Sequence, residues 1–232
     1  MTYKKLCTYM VLGVVFLVLK PTHYQYLSLF ELYNLVFNYR FVGTIYIGAF
    51  IFLLGDKIKY SSDACVLVRV PKRLGVIFMQ LYDTAVLAVE YVMSTLIIFI
   101  LVNFKYIRNI QYELKILLAL LIITFISITG LLYIGELYGM LFNIIQGKAV
   151  SFFVLEVIIL IFFFSKSQNF SLKEIFFDMY GSIIPNFFNN SVRTLIFQPI
   201  KNIFIGFNIV FLNVYFYKNR RIYGGKVSDE HN

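Results

Sequence analysis

The stretch AVSFFVLEVIILIFFF, residues 149–164, decides how this chain is read. Only Ser151 and Glu156 interrupt its apolar run. Sixteen helical residues at ~1.5 Å each reach about 24 Å, short of a ~30 Å hydrocarbon core, so part of 139–148 is expected to lengthen it. A run of this kind, with a single carboxylate near its middle, has two homes. It is either the centre of a large soluble core or a membrane span.

Composition chooses between them. Of 232 residues, 60% are apolar and only 14% are Asp, Glu, Lys or Arg, against roughly 45–50% and about 25% in an ordinary soluble domain. With a mean hydropathy of +0.78, polar residues are too few to cover a water-soluble globule. Disorder is excluded because it requires low hydrophobicity and high charge. With 13 Gly and 2 Cys, neither a collagen repeat nor a disulfide scaffold fits. The reading is an all-α, polytopic integral membrane protein forming one transmembrane domain.

Working outward, five further apolar runs appear, giving six spans at about 6–20, 41–54, 84–102, 116–134, 149–164 and 203–217. The first lies between Lys4-Lys5 and Lys20-Pro21. It has no small-residue cleavage site and reads as a retained span whose lysines snorkel. The third is expected at 84–102, entering from as early as Val76, with Asp83 near its start and Glu90 inside. Two segments are not spans. Residues 56–75 are the most polar internal stretch and read as a basic amphipathic segment. Residues 171–198 read as two short interfacial or re-entrant helices. They open with the capping box Ser171-Leu-Lys-Glu174, break between Gly181 and Pro185, and end at Pro199.

The net charge of +9 does not point to nucleic acid, because the basic residues are scattered among apolar runs. At span ends they set orientation and meet lipid headgroups. Six spans put both termini on one side, and twelve of the 21 basic residues fall on that side. The densest clusters, 57–73 and 218–226, are there too. Both termini are therefore expected in the cytoplasm, on a multi-pass protein of the cell membrane.

Chemistry is sparse. There is no G-x-x-x-x-G-K-[ST] phosphate loop, no H-E-x-x-H, no G-x-S-x-G and no paired-cysteine metal spacing. Cys7 and Cys65 read as ordinary thiols. No catalytic residue, cofactor or metal ligand is expected, and the chain is not expected to be an enzyme. The candidate substrate-path residues are Glu156 and Glu90, since carboxylates inside spans are costly and usually face the bundle interior. Helix packing, or an offset that brings them to the interface, is the commoner explanation of such residues, more so for Glu90 than for Glu156. Arg40, at the second span's entry, reads as an interface anchor.

The layout resembles the membrane subunit of type-2 ATP-binding-cassette exporters, especially small bacterial permeases for peptide or bacteriocin export and self-immunity. The stretches that carry the resemblance are Ser61 to Arg73 before the third span and Leu172 to Gln198 before the sixth. The resemblance implies a separate ATP-binding subunit docked on the cytoplasmic face, with Arg69, Lys72 and Arg73 as coupling candidates. It also implies a second permease chain, identical or different, and an amphipathic peptide or other hydrophobic cargo. The rival expectation is a stand-alone membrane protein, either an ion-coupled carrier or a non-transporting immunity protein.

Overall fold

The computed structural model describes residues 2–19, 33, 36, 37, 41–61, 73–107, 113–165 and 192–219. They are helical, with no strand among them. The helices are α1 (Thr2–Val18), α2 (Ile47–Ser61), α3 (Arg73–Ile107), α4 (Glu113–Ile145), α5 (Lys148–Ser165) and α6 (Val192–Asn219). A π turn, Val42–Tyr46, leads into α2.

Three helices contain stretches long and apolar enough to cross a membrane: Gly75–Asn103 in α3, Leu120–Ile145 in α4 and Pro199–Phe216 in α6. That is compatible with membrane insertion. At 35 and 33 residues, α3 and α4 reach about 50 Å, well beyond a ~30 Å core. The fourth apolar helix thus runs eleven residues past the 134 boundary expected from sequence, because Gly135 and Gly139 are absorbed into it. Likewise α6 begins at Val192 and continues through Pro199 instead of stopping there. A proline removes one N–H from the helix ladder, and the flanking apolar residues carry the helix across it. The rest of the broken segment, 166–191, lies outside the described residues, as do 62–72 and the tail after 219.

Side-chain contacts fix how the helices run. Lys5 meets Glu90 and Gly13 meets Ile98, so α1 is parallel to α3. Tyr91 Oη donates to the Tyr46 carbonyl at 2.9 Å, and Thr84 and Leu54 both crowd Gly135, so α2 opposes α3. Asn143 bonds Gln80, so α4 opposes α3. Thr129 bonds Asn202 and Tyr133 covers Gly206, so α6 is parallel to α4. Lys148 meets Asp56 and Glu156 meets Gly48, so α5 opposes α2. The six helices alternate in direction. One end of the bundle gathers the start of α1, the end of α2, the start of α3, the α4–α5 turn and the end of α6.

That turn is tight. Gln146 takes φ 61°, the left-handed conformation that commonly ends a helix, and the next helix starts two residues later. α4 is the axis: 56% of its membrane-length stretch is buried, against 39% for α3 and 22% for α6. Around α1, α2 and α3 the core is aromatic. Phe16, Phe37 and Phe99 lie with ring centroids 5.4–6.0 Å apart, and Tyr46 and Tyr91 at 5.0 Å.

Candidate functional site: a groove and two buried carboxylates

At the common end of the bundle, charged side chains clasp three helices. Asp56 on α2 accepts from Lys4 of α1 at 2.6 Å and from Lys148 of α5. Both ammonium groups also lie over the Phe52 ring, at 5.5 and 5.8 Å. Burial raises the Asp56 pKa, but the hydrogen bonds and charge of Lys148 and Lys4 outweigh it and hold the carboxyl below its ordinary value.

Beneath this clasp lies a groove of about 550 Å³ between α1, α2 and α5, open along one side and lined almost wholly by apolar surface. Tyr3, Phe52 and Phe152 supply aromatic walls, Cys7 and Val11 the α1 side, and Gly48 and Ala49 the floor. Lys4 sits at its mouth. Gly48 is there for a steric reason: a Cβ would come 2.9 Å from Glu156 Oε1. Glu156 therefore rests against the groove floor, and its Oε1 is buried with no hydrogen-bond partner.

The sequence candidates separate. Glu156 of α5 lies against α2 beside the groove. Glu90 of α3 instead pairs with Lys5 of α1, both carboxylate oxygens at 2.5 Å from Nζ. The two carboxylates belong to different helix interfaces and are not brought together. Arg73 is the first residue of α3. Arg69 and Lys72 lie outside the described residues, as do Arg40 and Cys65. Cys7 is exposed and free.

One group escaped sequence reading. Glu136, only 2% exposed, lies on α4 in line with Gly139 and Asn143, on one face of the helix. Asn143 Nδ2 donates to Gln80 Oε1 of α3 at 3.2 Å and to Asn213 Oδ1 of α6 at 2.7 Å. The Asn213 side chain lies beside the Glu136 carboxyl, yet neither Glu136 Oε2 nor Asn213 Nδ2 completes a hydrogen bond. The three helices with membrane-length stretches are thus joined by the amides of Gln80, Asn143 and Asn213, with Glu136 two turns before Asn143 on the same face of α4. The legible signal was Gly135-Glu-Leu-Tyr-Gly139, a small-xxx-small pattern that permits close helix approach.

Among the described residues, no cluster of three or more His, Cys, Asp or Glu is placed to hold a metal. In comparisons with known proteins, no family model, no curated protein and no solved structure matches this chain.

Proposed function

We propose that this chain is the permease subunit of an ATP-driven exporter in the cell membrane, crossing the bilayer six times and carrying an amphipathic peptide or other hydrophobic substrate. The observation that supports it best is the common basic end of the bundle. Lys4, Lys5, Lys57, Lys59, Arg73, Lys148 and Lys218 belong to helix ends gathered there, and Lys105, Lys115, Arg193 and Lys201 to the other. By the positive-inside rule the first end is cytoplasmic, with both termini and the 62–72 link facing that side. A separate ATP-binding subunit docks there, with Arg69, Lys72 and Arg73 as contacts, because the chain carries no phosphate loop of its own.

The apolar groove beside Glu156 suits the cargo. Its aromatic walls fit an apolar face, and Lys4 and Glu156 offer polar anchors at mouth and floor. The outward face of α6, with Phe204 and Phe211 each 70% exposed, meets lipid or a second permease chain. Purification of the tagged chain from its native membrane tests the reading. An ATPase subunit is expected to co-purify, and Arg69→Glu with Arg73→Glu to release it at equal membrane yield. A chain that purifies alone and confers transport alone contradicts it.

The second reading, an ion-coupled carrier, has its own observation in its favour: Glu136, buried among apolar helices and without an ion-pair partner among the described residues. Ionisable groups in that setting commonly mark ion pathways.

A further inference from the structure

The Glu136 level of the bundle carries more chemistry than helix packing requires. Three buried threonines satisfy their hydroxyls on their own backbone: Thr84 on the Gln80 carbonyl at 2.8 Å, Thr95 on Tyr91 at 2.7 Å, Thr129 on Phe125 at 3.0 Å. That is the least costly solution for a polar side chain in an apolar helix. Glu136 does not adopt it. Its Oε2 is unpartnered inside a residue that is 2% exposed, and an isolated carboxylate in such a place is strongly disfavoured unless something compensates its charge.

Among the described residues, amides lie near Glu136 and no salt bridge reaches it. Asn143 joins Gln80 Oε1 and Asn213 Oδ1 through the two bonds already described. Both acceptor oxygens thus sit next to the same amide, two turns along α4 from Glu136. Gly139 lies between them. A Cβ there would stand in ordinary contact, 3.6 Å from Ile58 Cδ1, 3.7 Å from Asn213 Nδ2 and 3.9 Å from Gln80 Oε1, so glycine leaves the room of about one methyl beside the two amides. Lys4 and Lys148 are held by Asp56 and Lys5 by Glu90, and Lys57 lies near Asp83.

We propose that Glu136, with the side-chain oxygens of Gln80 and Asn213 held in place by Asn143, forms a binding site for one alkali-metal cation between α3, α4 and α6. Oxygen donors of this kind, one carboxylate with neutral amides, suit a hard cation of single charge. The cation neutralises Glu136, and amide oxygens, with two lone pairs each, can accept from Asn143 and face the ion at once. Because the ligands come from three helices, binding ties together the helices that carry the membrane-length stretches and stabilises the folded bundle by linkage. The site goes beyond the exporter reading and does not depend on it. An exporter that requires its ATPase and a carrier that lacks one can both hold the ion.

The test uses the full chain purified in lipid nanodiscs. Thermal midpoints are compared in sodium, potassium and choline chloride at equal ionic strength. The expected result is a saturable rise in sodium or potassium over choline, on the order of 5 °C at saturation. Glu136→Gln and Asn213→Leu should abolish the rise, and Asn208→Ala, on an exposed position of α6, should retain it. Equilibrium binding of radiolabelled sodium to the unmodified chain gives a readout that does not require the variants to fold. Stoichiometric binding displaced by unlabelled sodium or potassium but not by choline supports the site. Identical midpoints in all three salts with no saturable binding overturn it, leaving Glu136 with a proton or a water. Loss of ATPase co-purification would overturn the exporter reading and leave this result untouched.

Discussion

The bundle holds two cores built on opposite principles. Around α1, α2 and α3, aromatic rings fill space: Phe16, Phe37, Phe99, Tyr46 and Tyr91 touch edge to face or tilted, and polar atoms are few. Where α3, α4 and α6 meet, Gln80, Glu136, Asn143 and Asn213 are buried together, with Thr129 and Asn202 further along the seam. In a bilayer, lipid is as apolar as a leucine, so helix association depends on packing and on interhelical hydrogen bonds. The aromatic half uses the first and the polar half the second. The difference predicts how each half responds to change: shape matters in one, charge and hydrogen-bond pairing in the other.

The largest effect is expected in the aromatic half. Phe99 is fully buried against Phe16, Tyr33 and Phe37. Phe99→Ala should cost about 3–4 kcal/mol, read as a lower unfolding midpoint in detergent. A loss under about 1 kcal/mol would mean that the rings are not close-packed.

Gly135 lies where the halves join. A methyl there would run into Thr84 of α3 and come 3.0 Å from Leu54 Cδ2 of α2. Gly135→Ala should destabilise by about 2 kcal/mol, and Thr84→Ser in the same chain should recover part of that by removing the obstructing methyl. Failure of the rescue would place α3 and α4 further apart than described here.

The clasp at Asp56 is a smaller contributor. Its partners are 30–51% exposed, and such pairs are worth up to about 1 kcal/mol. Asp56→Asn should lose that amount. Because the folded carboxyl is held below its ordinary pKa, its contribution is complete above the unfolded value of ~3.9 and fades as pH falls through the lower folded one. An unfolding titration from neutral to acid should therefore lose this stability only in strong acid, and Asp56→Asn should flatten that portion of the profile.

The smallest expected effect is in the polar half. Glu136→Leu, measured in choline chloride, should leave stability unchanged or slightly raised, since a buried carboxyl lacking a partner is replaced by apolar volume. A loss comparable to that of Phe99→Ala would show that Glu136 is a structural keystone and erase the contrast between the halves.

Much of the helical layout was legible because apolar runs are local. The runs at 6–20, 84–102 and 149–164 lie within α1, α3 and α5 apart from one or two terminal residues. Glu156 was legible for the same reason, as an acid alone in a run of Val, Ile and Phe. Glu136 was not. It falls just past 134, where the apolar run was expected to end, and although Gly135 and Gly139 mark a close helix approach, only packing against Thr84 and Leu54 shows that the helix continues through them. Glu90 read as a path residue because Lys5, its partner, is 85 positions away. Pro199 read as a helix end because a proline's cost is local, whereas the packing of α6 along α4 that carries the helix past it is not.

The proposed six crossings, with the basic end inside, are the claim on which the exporter reading depends, and thiol labelling in intact cells tests them most directly. Cys7 and Cys65 are first replaced by serine, and single cysteines are then placed at Lys57, Asn109 and Ser228. A membrane-impermeant maleimide should label Asn109→Cys from outside, and should reach Lys57→Cys and Ser228→Cys only after permeabilisation. Labelling of Lys57→Cys and Ser228→Cys from opposite sides, or of all three from the same side, would contradict the account.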